Sequence, residues 1–263
     1  FYKCQNDYDG TYAKILNEFS QTRDLLNQDG NRILSEVRRG NLIQKESLWG
    51  QIYNNTVQGS QWFRDNAVSP GRWAVGYPFL YVLYNVLEHM KPSNILEMGL
   101  GQSTKMITQY ASTYPGIRHT VVEQNAEWVN FFCQNCYVAP NTSVEVLECG
   151  MENFRDAGLV RVYKGFEKLT MNKAYDFICI DGPSAEGMEF YSRIDVLKLL
   201  EKGLKDQFVI ILDDCNRKGE RCTAEMISSL LTEYNIDFSQ GKYQGEKMFY
   251  IWTTKKYSFL CTL

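Results

Sequence analysis

The chain has 263 residues, of which 44% are hydrophobic and 22% are charged. This composition excludes disordered and fibrous proteins and leaves room for one large α/β domain or a domain with an appendage. A net charge of −3 argues against a general nucleic-acid binder, because contacts to phosphates need a dominant basic face. No apolar run reaches the ~18 residues of a membrane-spanning helix, so we expect no membrane span.

Eight cysteines are spread along the chain, several of them inside predicted strands. This usage suits reduced, buried thiols in a cytoplasmic protein and disfavours disulfides. Cys133 and Cys136 have half of a zinc-ribbon spacing, but no second pair follows, so a structural role is favoured over a zinc site. The first residue is Phe1 rather than Met, which leads us to expect an excerpt or a processed product.

The N-terminal region is polar, with apolar residues at helical spacing. We predict two helices between residues 9 and 41, with a break at Asp29-Gly30 and an end at Arg39-Gly40-Asn41, followed by a third helix around residues 43–53. The expected domains are an N-terminal helical extension over residues 1–75 and a catalytic or ligand-binding domain over residues 76–263. The extension is a candidate surface for a homo-oligomer.

From Lys91 onwards short apolar strands alternate with helical stretches, after a first predicted helix over residues 77–90. This alternation predicts an α/β fold with a doubly wound, mostly parallel sheet and helices on both faces. Residues 144–149 are interpreted as an insertion rather than as part of the main sheet. The predicted strands are 94–98, 119–123, 160–163, 175–180, 208–212 and 248–252, and the predicted helices are 103–114, 127–136, 190–200 and 223–233.

A glycine turn follows the first predicted strand. The strand carries Glu97 and leads through Gly99-x-Gly101 into a helix, which lets a ligand approach the backbone and the free N–H groups of the helix. A dinucleotide site would show a third glycine at position 104, where Thr104 stands. Glu123 ends the second strand about twenty residues later, where a carboxylate can bind ribose hydroxyls. Together these residues predict a nucleoside-type ligand.

Three segments, Glu97-x-Gly99-x-Gly101, Glu123 and Asp181-Gly182-Pro183, resemble the successive motifs of class I, Rossmann-like methyltransferases that use S-adenosylmethionine (SAM). The resemblance spans residues 91–252 and implies a glycine turn facing the methionine part of SAM. It also implies ribose at Glu123, adenine near Phe166 and the methyl group near Asp181. Ser103 stands where the family usually has a third glycine, and we expect it to cap the helix. The candidate cofactor residues are Glu97, Gly99, Gly101, Ser103, Thr104, Glu123, Gln124, Phe166 and Asp181.

The candidate catalytic residues are the acids at two strand ends, Asp181, Asp213 and Asp214. Burying carboxylates at the edge of a sheet costs folding free energy unless they have partners. One solution is Mg²⁺, with these three carboxylates and Asn216 as hard oxygen ligands, as in catechol-type O-methyltransferases. The other is a metal-free ion network, in which Asp181 or Asp213 is the general base. Arg217, Lys218 and Arg221 are the expected partners in that network.

The candidate acceptor-binding residues are Arg72, Trp73, Arg193 and Arg217, which are suited to sugar faces or anionic groups. The segment Ser69-Pro70-x-Arg72-Trp73-Ala74, the run over residues 98–105 and the ending over residues 259–263 resemble bacterial methyltransferases of surface-polysaccharide gene clusters. That resemblance implies a hydroxyl acceptor on a capsule or O-antigen sugar, on its nucleotide-linked precursor, or on a phosphoryl decoration. We interpret His89 and His119 as structural.

Two other functions stay open from the sequence. One is a nucleotide-sugar or dinucleotide-dependent enzyme of the same layered fold, because fold alone does not fix chemistry. The other is a non-catalytic cofactor-binding partner, whose N-terminal helices join a larger complex.

Overall fold

The computed structural model describes the backbone of residues 2–71 and 73–263, and the side chains of residues 12–71 and 73–263. The chain forms two compact units, which divide between Lys45 and Glu46. The predicted functional boundary near residue 75 stays a prediction. None of the helices in the described part of the chain combines the length and the apolar character needed to cross a membrane.

The elements alternate along the chain from residue 94 onwards, as expected for an α/β protein. The helices are α1 (Tyr2–Val57), α2 (Tyr77–Asn85), α3 (Gln102–Thr113), α4 (Ala126–Asn135), α5 (Phe166–Thr170) and α6 (Lys218–Glu233). The strands are β1 (Asn94–Met98), β2 (Arg118–Glu123), β3 (Thr142–Val146), β4 (Cys149–Asn153), β5 (Leu159–Tyr163), β6 (Tyr175–Ile180), β7 (Leu204–Leu212), β8 (Ser239–Gln244) and β9 (Met248–Thr253). A π-helical turn, Val86–Met90, extends α2, and 3₁₀ segments cover Ile194–Leu199 and Lys255–Cys261.

The main sheet has seven strands in the order β3-β2-β1-β6-β7-β9-β8. Its first five strands are parallel, and β9 runs antiparallel to both β7 and β8. The winding reverses between β1 and β6, and a crevice opens at the carboxyl ends of the strands on either side of such a reversal. The predicted Rossmann-like, doubly wound α/β fold is confirmed.

Both faces of the sheet are covered, which explains why its central strands are apolar throughout. All five residues of β1 and all six of β6 are buried. One face packs in a cluster that includes Leu80, Leu83 and Met106, and the other in a cluster that includes Leu200 and Ile227. This rigid layer holds the strand ends in place.

The prediction of separate N-terminal helices was wrong. Helix α1 runs unbroken from Tyr2 to Val57, through both Gly30 and Gly40. A glycine inside a helix costs only about 1 kcal/mol relative to alanine, which a long run of good helix formers can absorb. Neither glycine adopts the positive φ of a helix-ending residue.

The third strand of the main sheet was also predicted wrongly. The edge position is taken by β3, which pairs in parallel with β2, whereas β5 pairs with β4 in a separate two-stranded antiparallel sheet. The apolar pattern of β5 was misleading because Val160 and Val162 are buried against Ile194 instead. As a half-exposed edge strand, β3 carries a weaker apolar pattern.

Two further elements differ from the prediction. The helix predicted over residues 190–200 is only the 3₁₀ segment Ile194–Leu199, because Tyr191 and Arg193 have positive φ and prevent an earlier helical start. The sheet was predicted to close at residues 248–252, but the edge strand is β8. Its sequence is too polar to stand out as a strand.

Candidate functional site

The glycine turn connects β1 to α3 at the reversal point of the sheet. Gly99 has a φ of 101°, and a Cβ built on it would lie 2.9 Å from the backbone of Asp181. Only glycine accommodates both the positive φ and the close approach of the Asp181 backbone. Gly101, by contrast, has an extended φ of −171°, and a Cβ there meets no heavy atom within 4 Å. Open space therefore lies beside Gly101, at the start of α3.

Thr104, rather than Ser103, supports the first turn of α3. The Gly101 N–H donates to the Thr104 hydroxyl at 2.9 Å, and Gly101 occupies the N-cap position. The Ser103 hydroxyl donates to Glu97 at 2.5 Å, so the predicted capping role of Ser103 was wrong. A threonine in place of the dinucleotide-type glycine thus has a structural use, since it holds the turn in shape.

The Glu97 carboxylate is buried and engaged on both sides. Oε1 accepts from Ser103, and Oε2 lies 3.0 Å from Nε2 of His119. The other ring nitrogen of His119 lies 3.2 Å from the Thr142 hydroxyl. The sequence interpretation of His119 as structural agrees with this contact chain, which ties α3, β1, β2 and β3 together. A direct contact of Glu97 with a cofactor stays a prediction.

Glu123 ends β2 beside the glycine turn. Its Oε2 accepts from the Leu100 N–H at 3.0 Å, and its Oε1 accepts from the N–H groups of Gln124 and Asn125 at 2.8 and 2.9 Å. These hydrogen bonds hold the Glu123 carboxylate beside the glycine turn. A carboxylate can accept about four hydrogen bonds, so Oε2 keeps capacity for a further donor.

The predicted adenine-side residue Phe166 is 1% exposed at the start of α5. Its ring stacks on Tyr163, with centroids 6.3 Å apart. The Tyr163 hydroxyl in turn lies 3.3 Å from Oε1 of the Gln124 side chain. Phe166 therefore packs against Tyr163, which contacts Gln124, and direct contact of Phe166 with a ligand stays a prediction.

The three predicted catalytic acids meet at one point. Asp181 follows β6 and Asp213 follows β7, and one carboxylate oxygen from each of Asp181, Asp213 and Asp214 lies within 4.8 Å of the others. Asp181 is the most accessible, with 19% of its side chain exposed. Both carboxylate oxygens of Asp213 are buried and have no hydrogen-bond partner among the described residues.

A buried guanidinium holds this acid cluster together. Arg193 is 3% exposed, and its Nη2 lies 3.0 Å from Asp181 Oδ1 and 2.9 Å from Asp214 Oδ2. Arg193 and Asp214 both have positive φ, of 58° and 61°. A non-glycine residue in this left-handed conformation costs roughly 1–3 kcal/mol of folding free energy. Such residues are found most often at functional sites. Arg193 was predicted as an acceptor contact, and that role stays a prediction.

Two further cations complete the network. Lys247 Nζ lies 3.1 Å from Asp214 and 3.7 Å from Asp213, and Arg217 Nη2 lies 2.7 Å from Asp214. Of the partners expected from sequence, only Arg217 is in place. Lys218 lies instead over the Phe190 ring, 3.6 Å from its centroid, and Arg221 donates to the carbonyl of Asn216. Arg217 precedes α6, whereas Lys218 and Arg221 lie within it and contact these other groups.

The network separates the pKa values of the three aspartates. Burial raises the pKa of Asp181 to about 6 and that of Asp213 to about 8. Burial also acts to raise the pKa of Asp214, but Arg193, Lys247 and Arg217 outweigh it and lower that pKa. Near neutral pH, Asp214 is therefore the permanent anion, Asp213 holds a proton, and Asp181 is poised to exchange one.

A cavity of about 280 Å³ opens beside Asp214. Its walls are formed by Glu46, Gly71, Gly76, Asp214, Asn216, Arg217, Glu246 and Lys247. Trp73, on the loop between the two glycines, is 94% exposed. The predicted acceptor residue Arg72 lies outside the described residues. Arg217 thus lines a polar cavity next to Asp214, and Trp73 lies on the loop whose glycines form part of the cavity wall.

Sequence reasoning missed two residues of this site, Lys247 and Glu46. Lys247 lies in the β8–β9 hairpin, which the backbone bond from the Cys215 N–H to the Met248 carbonyl fixes to the end of β7. Glu46 accepts from the Tyr77 N–H at 2.6 Å and from the Glu246 N–H at 2.8 Å. Both act at long sequence separation, so no local motif indicates them.

Solved structures with this fold include several O-methyltransferases. TomG from Streptomyces achromogenes, an O-methyltransferase involved in tomaymycin synthesis and solved with SAM, is 12% identical, with a TM-score of 0.51 over 80% of this chain and 99% of its own. An O-methyltransferase from Bacillus cereus, solved with SAH, is 16% identical, with a TM-score of 0.48 over 81% and 91%. No protein-family model matches the chain, and no curated protein matches its sequence. The similarity to TomG is one of fold.

Proposed function

We propose that the chain is a SAM-dependent O-methyltransferase that acts on a hydroxyl of a small polar acceptor. The observation that carries the proposal is the meeting of three features at one sheet edge. These are a glycine turn with open space before it, a ribose-type carboxylate at Glu123, and an acid of raised pKa at Asp181. Each is expected of a methyl-transfer site, and their joint position follows from the fold.

The cofactor pocket in this proposal lies between Gly101 and Glu123. A Cβ at position 101 meets nothing within 4 Å, so the backbone is free to contact a ligand there. The first N–H groups of α3 favour a carboxylate such as that of a methionine moiety. Glu123 keeps acceptor capacity on Oε2 for a ribose hydroxyl. When bound, SAM supplies a methyl group made electrophilic by its sulfonium.

Asp181 acts as the general base in our proposal. Its pKa of about 6 leaves it ionised at neutral pH while keeping it basic enough to take the acceptor's hydroxyl proton. Bound SAM would supply the methyl carbon to the acceptor oxygen, and its sulfur would leave with the electron pair of the carbon–sulfur bond. The proton passes to Asp181, so the reaction needs neither a covalent intermediate nor an oxidant.

A divalent metal does not fit this acid cluster as it stands. The carboxylates offer hard oxygen ligands, yet Arg193 already occupies the position between Asp181 and Asp214. A divalent ion would also face the charges of Lys247 and Arg217. Like charges that lie close together in a buried site repel each other strongly. We therefore favour the metal-free ion network, with Arg193 supplying the fixed positive charge.

We further propose that the acceptor is a sugar or a phosphoryl-decorated sugar precursor of a bacterial surface polysaccharide. The cavity beside Asp214 supports a polar acceptor, because its walls are glycine, carboxylate, amide and cationic groups. Arg217 and Lys247 suit an anionic decoration, and the exposed Trp73 ring suits a sugar face. The seven described cysteines are free thiols, which supports a cytoplasmic location in this proposal.

Mass spectrometry of reaction mixtures tests the proposed function. The chain is incubated with SAM and a panel of monosaccharides, nucleotide sugars and phosphorylated sugars, and each product is examined for a gain of one methyl group. The proposal requires a methylated product that the Asp181→Asn variant does not form. Binding of NAD but not of SAM would instead favour a dinucleotide enzyme.

A further inference from the structure

One face of α1 carries an uncovered apolar stripe. On this face, eight large apolar side chains between residues 12 and 37 are 44–70% exposed. They are Tyr12, Ile15, Leu16, Phe19, Leu26, Ile33, Leu34 and Val37. Their spacing of three, four and seven residues places them within about 100° of the helix circumference, which is the width of a packing face. An exposed apolar face of this width marks an interaction surface.

Few large apolar residues of the 12–45 segment lie off the stripe. They are Leu25 and Ile43, 62% and 51% exposed, and the partly buried Leu42. Most of the stability of a helix in a protein comes from packing of its apolar face, and the side chains of this stripe are 44–70% exposed. A partner that covers the stripe would therefore stabilise the helix.

One pair of charges is complementary between two antiparallel copies of the helix. In a pairing about Leu26, residue 23 of one copy faces residue 29 of the other, so Arg23 is set opposite Asp29 on both sides of the axis. A parallel pairing would place Arg23 opposite Arg23 and Asp29 opposite Asp29. These charges therefore favour the antiparallel pairing of two copies of this helix.

We propose that the stripe is the dimer interface of this chain, formed by antiparallel pairing with a second copy about a two-fold axis near Leu26. The exposed parts of the eight side chains amount to on the order of 800 Å² per copy, which is what each partner contributes to a standard stable interface. A two-fold axis makes such an interface self-complementary and closed. The mixed charges of the flanks distinguish this helix from the basic amphipathic helices that bind membranes.

Sedimentation of the full chain tests the proposal. We expect a species of about twice the 30.5 kDa chain mass that dissociates on dilution. Leu26→Glu, on the stripe, should produce the monomer at concentrations where the wild type is dimeric. Leu25→Glu is the matched control, because this neighbour is as exposed but lies off the stripe, and it should leave the dimer intact. A wild type that is monomeric at all concentrations, or equal effects of the two variants, would overturn the proposal.

Distance measurement tests the orientation. With spin labels introduced through an unnatural amino acid at Lys14, an antiparallel pair about Leu26 separates the two labelled backbones by roughly 36 Å along the axis, from 1.5 Å per residue. A parallel pair would bring them to about 10 Å. Flotation of the wild-type chain with anionic phosphatidylserine vesicles, together with a monomer in sedimentation, would contradict the dimer and assign the stripe to a lipid surface.

Discussion

The Nη2 atom of Arg193 lies 3.0 Å from Oδ1 of Asp181, in a site where the guanidinium is almost fully buried. The same nitrogen contacts Asp214, so one side chain joins the ends of β6 and β7. Burial acts against the charged form of Arg193, but the surrounding carboxylates hold its pKa above the usual value. The acid cluster is therefore built around a permanent positive charge.

Removing that charge should destabilise the protein and abolish activity. Arg193→Gln leaves Asp181 and the buried Asp214 without their shared partner, and breaking a buried ion pair such as Arg193–Asp214 costs about 3–5 kcal/mol. Denaturant unfolding measures this loss. Lys218→Gln is the control, because Lys218 contacts the Phe190 ring rather than the acids, and it should change stability by less than about 0.5 kcal/mol.

The same arrangement predicts that no divalent metal is needed. Methyl transfer should proceed equally well after treatment with EDTA and should not rise when Mg²⁺ is added back, because Arg193 fills the space between the carboxylates. Initial rates over a series of Mg²⁺ concentrations measure this. A strict requirement for Mg²⁺ would show that the cluster rearranges to release Arg193 and would contradict our metal-free mechanism.

Asp181 should control the pH dependence of the reaction. A general base is active when deprotonated, and burial raises the pKa of Asp181 to about 6, so the rate should rise as pH increases through about 6 and level off above it. Asp181→Asn should lower kcat about 100- to 1,000-fold, in line with loss of a general base, and should flatten that rise. Unchanged kcat with an unchanged pH profile would assign the base elsewhere.

The two glycines of the turn should respond differently to alanine. Gly99→Ala introduces a Cβ at positive φ and within 2.9 Å of the Asp181 backbone, so we expect a loss of roughly 1–3 kcal/mol or more in unfolding free energy. Gly101→Ala adds a methyl group to open space on extended backbone and should leave stability near wild type while weakening SAM binding. Thermal unfolding with and without SAM separates the two effects.

Glu46 should act as a positioning residue for the acceptor side of the site. Its carboxylate joins the N-terminus of α2 to the hairpin that carries Lys247, through the N–H groups of Tyr77 and Glu246. Glu46→Ala should raise the KM for acceptor several-fold with a smaller effect on the KM for SAM, and should speed amide exchange at Glu246. Lys242→Ala, on the exposed side of β8, is the control. Unchanged KM values with a lower apparent kcat would indicate loss of folded protein, and equal changes in both KM values would contradict a role specific to the acceptor.

Much of the fold, and the acidic residues of the site, could be predicted from sequence because they depend on local patterns of strands and turns. Strand ends in parallel sheets meet at one edge, so Asp181, Asp213 and Glu123 could be placed there from their strands alone. Lys247 reaches the acids only because an antiparallel hairpin folds back beside β7, and no local pattern encodes that return. The wrong choice between β3 and β5 has a similar cause, since both bury apolar side chains and differ only in their partners.

Calorimetric titration of the purified chain with SAM tests the central claim most directly. Our account predicts binding in about the micromolar range, close to −8 kcal/mol, for SAM and for S-adenosylhomocysteine. The Glu123→Ala variant, checked for folding by thermal unfolding, should lose at least tenfold in affinity because its carboxylate is the proposed ribose acceptor. No binding of either compound to the folded wild type would contradict the methyltransferase function and leave the turn at Gly99 without an assigned ligand.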